Sequence, residues 1–389
     1  MKATTTTISV SATTALTAAL IPHLAAAAAT CSYTQSATIT SGARSAAIIA
    51  VDLNKDKILD IVTTAQGDGT ISVALGQKGG KFAAPTTYKT STVGPYETVA
   101  ADFNGDGYPD LASANFGASN GAPFGVAVSI HINKGDGTFK DYVDVSATDR
   151  EDDKLRAITA GDFNKDGKMD LAVAAQKTGL QILLGKGDGT FAPHVLYPAG
   201  AAVHGIVAAD FNKDGKLDVA LANNSPKNGA VNVLFGKGDG TFEATTAFAA
   251  GASTFGLDTA DLNGDGYPDI VTANQADSTT SVLLNLGSKQ PGSFAPQVVY
   301  AASGKAVAIT AGDLNGDGKP ELLTAANSGG VTDVYFNKGD GTFEASLPVA
   351  TGNGAYDSVV ADFNGDGTAD FATVLGNGSA VVMQGSCKK

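Results

Sequence analysis

Tryptophan is missing from this chain, and cysteine and histidine nearly so: 389 residues contain no Trp, two Cys and four His. Charge is sparse as well, at 17%, and what there is leans acidic, with a net charge of −13. A nucleic-acid partner needs basic patches, and none is present. Enzyme signals are thin. His23 belongs to the N-terminal segment, while His131 and His194 fall in outer strand-like runs with no partner at a catalytic spacing. Beyond the first 30 residues no stretch is apolar enough to span a bilayer, and the rest of the chain shows no helical period.

Glycine is abundant instead, 48 residues or about one in eight, without the three-residue period of collagen. Many of these glycines belong to a nine-residue stretch that occurs seven times. Its clearest copy is Asp102-Phe103-Asn104-Gly105-Asp106-Gly107-Tyr108-Pro109-Asp110. Carboxylates stand at positions 1, 5 and 9, an Asn at position 3, and a Gly at position 6 in six of the seven copies. Turn propensity alone explains Asp, Asn and Gly in a tight turn. It does not explain three acids held in register seven times, because like charges repel. A hard cation does explain it. Calcium takes six to eight oxygens, which alternate side chains of a tight loop can supply, and Gly permits the positive-φ turn that brings position 9 back. The candidate ligands are Asp52, Asn54, Asp56 and Asp60; Asp102, Asn104, Asp106 and Asp110; Asp162, Asn164, Asp166 and Asp170; Asp210, Asn212, Asp214 and Asp218; Asp261, Asn263, Asp265 and Asp269; Asp313, Asn315, Asp317 and Glu321; Asp362, Asn364, Asp366 and Asp370. Lys57 replaces the Gly in the first loop, and Glu321 the Asp in the sixth. Up to seven Ca²⁺ are expected. They would add +14 to −13, so the acidity is mostly ligand charge. An EF-hand is excluded, because Thr63, Ser113, Val173, Leu221, Thr272, Thr324 and Thr373 stand where its bidentate Glu belongs.

Loop starts are spaced by 50, 60, 48, 51, 52 and 49 residues, which is a repeat architecture. Each repeat reads as a β-run entering the loop, a second leaving it, a variable stretch, a third run, a Gly-Asp-Gly turn and a fourth run. Four antiparallel strands in each of seven repeats predict an all-β, seven-bladed β-propeller over residues 30–389. Ala50, Ala100, Ala160, Ala208 and Ala311 share one register of the entering runs, as a crowded axis demands. The seventh repeat stops at Cys387, where the others turn into strand four. The run from Cys31 to Thr40 can supply that strand, closing the ring and bringing Cys31 to Cys387 as a disulfide. Residues 1–29 read as a signal peptide, with Lys2 before an apolar stretch and small residues at its end. The expected address is therefore outside the cell, at its surface, or in a periplasm.

Connectivity sorts the loops. The acidic loops and the Gly-Asp-Gly turns share one face and are uniform. The second-to-third-strand loops and the blade connections share the other, and they vary, as binding loops on a rigid frame do. The longest are Asn115 to Gly125 and Asp144 to Lys154. Just before each innermost strand, at the channel mouth, stand Tyr96, Arg156, His204, Phe255 and Tyr356, candidate ligand contacts for a sugar or peptide. Ordinary inter-blade packing is the competing account of each. Asp258 is an acid in an inner strand where other repeats have Ile, Val or Thr, and reads as a hydrogen-bonded channel carboxylate. No catalytic residue is assigned.

Loops of the Asp-Phe-Asn-Gly-Asp-Gly-Tyr-Pro-Asp kind on a 50-residue period resemble the FG-GAP/VCBS repeats of the integrin α-subunit propeller and of many secreted bacterial proteins. The resemblance covers the chain from about residue 31 onward. It implies calcium in the loop between strands one and two, held by positions 1, 3, 5 and 9. Fungal lectins of similar architecture bind sugars, although a chain without Trp departs from them, and a few relatives are sugar lyases or dehydratases. The reading is a monomeric extracellular binding or adhesion module for carbohydrate or protein. Its alternatives are an extracellular carbohydrate-active enzyme and a structural envelope protein.

Overall fold

The computed structural model describes residues 30–91, 94–116, 127–200 and 202–388. The expected signal peptide and most of the Asn115–Gly125 loop lie outside them. The described chain forms seven four-stranded antiparallel sheets. Blade 1 runs outward through Ser45–Val51, Asp60–Ala65, Thr70–Ala74 and Thr86–Lys89. The inner strands of blades 2 to 7 are Pro95–Ala101, Leu155–Gly161, Val203–Ala209, Thr254–Ala260, Ala306–Gly312 and Ala355–Ala361. Each inner strand packs on the next and the last on the first, so the ring is closed.

Closure happens as expected. The outermost strand of blade 7 is the N-terminal Thr30–Thr40, paired with Ser379–Lys388. Cys31 lies directly opposite Cys387, with 4.1 Å between Cα atoms, and the two are disulfide-bonded. The bridge therefore replaces the hairpin that joins strands three and four elsewhere.

The second strand of every blade is buried almost throughout because its two faces meet the neighbouring blades. Its residues accordingly read as unbroken small and β-branched runs rather than alternation. Between blades, one contact recurs. The position-2 side chain of an acidic loop meets a Phe that ends the turn between strands three and four of the following blade. Phe103 meets Phe191, Phe163 meets Phe242 and Phe211 meets Phe294, with ring centroids 5.6–5.8 Å apart. Phe363 closes the circle on Phe82 of blade 1 at 5.8 Å. Each such aromatic pair adds about 1 kcal/mol beyond the apolar area it buries. The recurring geometry of loop and turn thus serves a packing purpose at these four blade junctions.

Candidate ligand pocket and acidic loops

The acidic loops hold their oxygens in place with their own backbone. In blade 2, the Asp102 carboxylate accepts from the Gly105 and Gly107 amides, both at 2.7 Å. Asn104 Oδ1 accepts from Asp106 N–H at 2.8 Å, and Asp106 Oδ1 accepts from Tyr108 N–H at 2.9 Å. The same bonds recur in the other loops, for instance at Asp261 and Asp362. Position 6 adopts the left-handed conformation that the sequence requires: φ is +87° at Gly107 and +69° at Lys57, where a side chain occupies the glycine's place. Position 5 is exposed and positions 1 and 3 are half-buried, Asn315 more deeply, and all three offer hard oxygen donors, which suits a calcium ion.

Position 9 does something the sequence did not reveal. Its carboxylate is buried, and each oxygen accepts a backbone amide. Asp110 takes Phe103 N–H at 3.0 Å and Asn133 N–H at 2.8 Å. Asp170 takes Phe163 and Gly185 at 2.9 and 2.7 Å. Glu321 reaches the equivalent amides of Leu314 and Asn337 at 2.9 and 3.4 Å. Position 9 therefore clips the loop to the end of the third strand. Burial pushes these carboxyls up, to about 6 at Asp110 and about 7 at Asp218, against the amide bonds that pull them down. Carboxylate oxygens keep spare lone pairs beside such bonds, so the donor set still fits a cation. Among the described residues, no group of three His, Cys, Asp or Glu is gathered tightly enough to be a metal site by itself.

On the opposite face the mouth residues converge. Tyr96, His204, Phe255 and Tyr356 all line one cavity of about 90 Å³ at the axis. Tyr96, Arg156, Phe255 and Tyr356 also line a wider pocket of about 290 Å³ above it, so all five candidates meet at the mouth. The Arg156 guanidinium stacks 4.0 Å over the Phe116 ring and 5.2 Å from that of Tyr96, and the two rings themselves stack at 5.5 Å. His204 packs on Phe255 with centroids 4.4 Å apart. Burial lowers the His204 pKa to about 3, with the Arg156 charge adding to the effect. Tyr96 is raised to about 12, again mainly by burial. The sequence reading missed Phe116 and Arg44, which also line the wider pocket. Phe116 follows the Asn115 that ends the second strand, and Arg44 precedes the first inner strand. Their positions flanking strands on the variable face were the available signal.

Deeper in the channel, Asp258 is hydrogen-bonded as expected, and it has two counterparts. Asp258 accepts Ala311 N–H from the next blade at 2.9 Å and Thr259 N–H at 2.8 Å. Asp357 accepts Ile48 N–H at 3.0 Å and Ser358 N–H at 2.9 Å. Glu97 likewise takes the backbone amide of Ile158. Each carboxyl thus stitches its inner strand to the following blade. Desolvation raises all three, to about 6 at Asp258, about 7 at Asp357 and well above the usual range at Glu97.

Comparison with known proteins agrees with the repeat and the ring. The family model described as "FG-GAP-like repeat" matches residues 52–113, 102–173, 162–221, 211–272, 261–324 and 313–373. No curated protein matches the chain. Among solved structures, a crystal structure of BBS1N in complex with ARL6DN, soaked with lead, is similar with a TM-score of 0.61 and 11% identity, covering 90% of this chain and 96% of that one. An Agrocybe aegerita lectin, described for specific recognition of non-reducing terminal N-acetylglucosamine, is similar with a TM-score of 0.53 and 21% identity, covering 88% of this chain and 99% of the lectin. At such identities the two neighbours speak for the fold alone. The six overlapping matches run through most of the chain and fall on the acidic loops and the strands around them: the chain belongs to the FG-GAP-like repeat family.

Proposed function

We propose that this protein is an extracellular, calcium-stabilised binding module whose ligand, a carbohydrate, seats at the channel mouth. The observation that carries the reading is the convergence of Tyr96, Phe116, Arg156, Phe255 and Tyr356 on one pocket of about 290 Å³. Aromatic faces beside a few polar groups are the usual lining of a small-ligand pocket. The ring's other face is taken up by uniform loops with a structural task. There, positions 1, 3 and 5 would hold calcium, and the bound ion would offset the repulsion of the loop acids. The Cys31–Cys387 bridge supports an oxidising compartment. The two solved neighbours engage different classes of partner, N-acetylglucosamine and a protein. The concave, aromatic-lined pocket of single-sugar size favours the sugar here. A catalytic reading is less well supported, because Asp258 and Asp357 each have a structural task, tying their inner strand to the following blade through a backbone amide.

A glycan array probed in millimolar calcium tests this, with Tyr356→Ala and Phe255→Ala beside the parent. Binding that both variants weaken at least tenfold supports the reading. An array without binders, or binders indifferent to both variants, overturns it.

A further inference from the structure

The mouth pocket has a charge opposite to that of the molecule around it. The chain carries a net −13 and only three arginines. Two of them, Arg44 and Arg156, line this one pocket, and no Asp or Glu lines it among the described residues; Glu97 and Asp357 line the smaller cavity beneath, where burial raises both carboxyls and favours their neutral forms. The third, Arg150, is paired with Asp152 at 2.7 Å on the outer surface. Arg156 has no such ion pair among the described residues. It is half-buried between aromatic rings, and its Nε is buried without a hydrogen-bond partner. Directly beneath, His204 is 8% exposed and its Nδ1 is also unpartnered.

Burying part of a guanidinium without an anion is unfavourable, and a bidentate carboxylate is the partner its planar fork fits best. Stacking on Phe116 and Tyr96 fixes the plane of the fork before any ligand arrives, so little ordering entropy remains to be lost on binding. Gln66 and Gln275 add neutral donors and acceptors, and Tyr356 adds a ring face at the rim. Hydroxyls and one carboxylate on a compact ring match this set. An extended acidic peptide would use the charges but not the concave, aromatic-walled shape.

We propose that the pocket binds an acidic sugar, a hexuronate residue of a glycan, with Arg156 and Arg44 as its carboxylate-binding pair. The inference rests on the binding-module reading and narrows it. Arg156 of blade 3 holds the carboxylate, Arg44 adds a second positive charge from the entrance to the blade 1 inner strand, across blade 2, and the sugar ring lies against the aromatic wall.

The test is calorimetric titration with oligosaccharides containing glucuronate, galacturonate or mannuronate, each beside its carboxyl-reduced form, with hexaglutamate as the peptide probe. Arg156→Gln and Arg44→Gln are measured with melting curves to confirm folding; Arg44 is exposed, so its variant retains the fold. Expected is binding of at least one uronate, weakened about tenfold or more by carboxyl reduction, by either substitution and by added salt, as loss of a charge-assisted hydrogen bond predicts. Equal binding of the reduced sugars overturns the carboxylate assignment and leaves the binding module standing. Binding of hexaglutamate alone overturns the sugar. No binding by any probe overturns the inference together with the reading beneath it.

Discussion

The Asn133 side chain of blade 2 donates to the Leu53 carbonyl inside the acidic loop of blade 1, at 2.9 Å. The same amide nitrogen reaches Pro109 O at 2.9 Å, and Oδ1 accepts Gly135 N–H at 2.8 Å, so one buried side chain joins two blades and a hairpin. Asn285 and Asn337 repeat the contact to Phe211 O and Leu262 O, both at 2.9 Å. Where the Asn is absent, a turn amide substitutes: Gly189 N–H reaches Phe103 O at 2.9 Å. The position-2 carbonyl is thus a recurrent docking point between blades.

Replacing Asn133 by Ala leaves buried carbonyls without a donor. The expected cost is about 2–3 kcal/mol, from several modest hydrogen bonds and their unpaired remains. Denaturant unfolding measures it, and a loss below about 0.5 kcal/mol would mean that packing alone holds the junction.

Positions 5 and 9 of one acidic loop should respond differently to calcium. Asp106 is exposed and bonded only within its loop, whereas Asp110 is buried and clips the loop to Asn133 N–H. Asp106→Ala is therefore expected to destabilise in millimolar calcium, by up to about 3 kcal/mol if the ion is held at a hundred times its Kd. In EGTA it should be nearly neutral. Asp110→Ala should cost about 2–5 kcal/mol in both conditions, since two buried amides lose their acceptor. A parent melting curve identical with and without EGTA would remove calcium from the account of stability.

The contrast between these two positions marks how far the sequence was legible. The 50-residue period, four runs per repeat and a truncated last repeat were enough to give the ring, its closure by Thr30–Thr40 and the Cys31–Cys387 pair. The clip role of position 9 was not legible, because a ligand and a backbone acceptor call for the same residue, Asp. Glu97 and Asp357 escaped for a different reason. Pairing with the second strand runs unbroken from the loop to both, with Glu97 opposite Ala114 and Asp357 opposite Val374, so strand alternation puts them on the same side as Val99 and Val359. What alternation does not say is that a carboxylate there finds a backbone amide of the following blade, because that contact depends on how two blades pack. Arg44 and Phe116 lie outside the regular strands, where no period applies at all.

The disulfide should matter most at blade 7. It joins strands whose ends are 356 residues apart in sequence, at the one place where the ring lacks a connecting hairpin. The paired substitution of Cys31 and Cys387 by Ser is expected to cost about 2–5 kcal/mol. Amide exchange should quicken first in Thr30–Thr40 and Ser379–Lys388, because these strands lose their covalent tie. Unchanged exchange there, with unchanged stability, would show that strand pairing suffices for closure.

His204 should give the fold an acid-sensitive contribution. Its folded pKa is depressed to about 3 by burial and by Arg156, while an unfolded His titrates near 6.5. Between those values the unfolded chain takes up a proton that the native chain refuses. Stability from this residue is therefore complete above about pH 6.5 and is lost as pH falls toward 3, at about 1.4 kcal/mol per pH unit. His204→Gln never charges. Any loss of the stacking on Phe255 is the same at every pH, so the pH-dependent part isolates the titration. Between pH 7.5 and pH 5, the variant is expected to lose about 2 kcal/mol less than the parent. Parallel stability curves for the two proteins across this interval would mean that His204 charges freely in the folded state, through water entering the mouth or through an anion beside it.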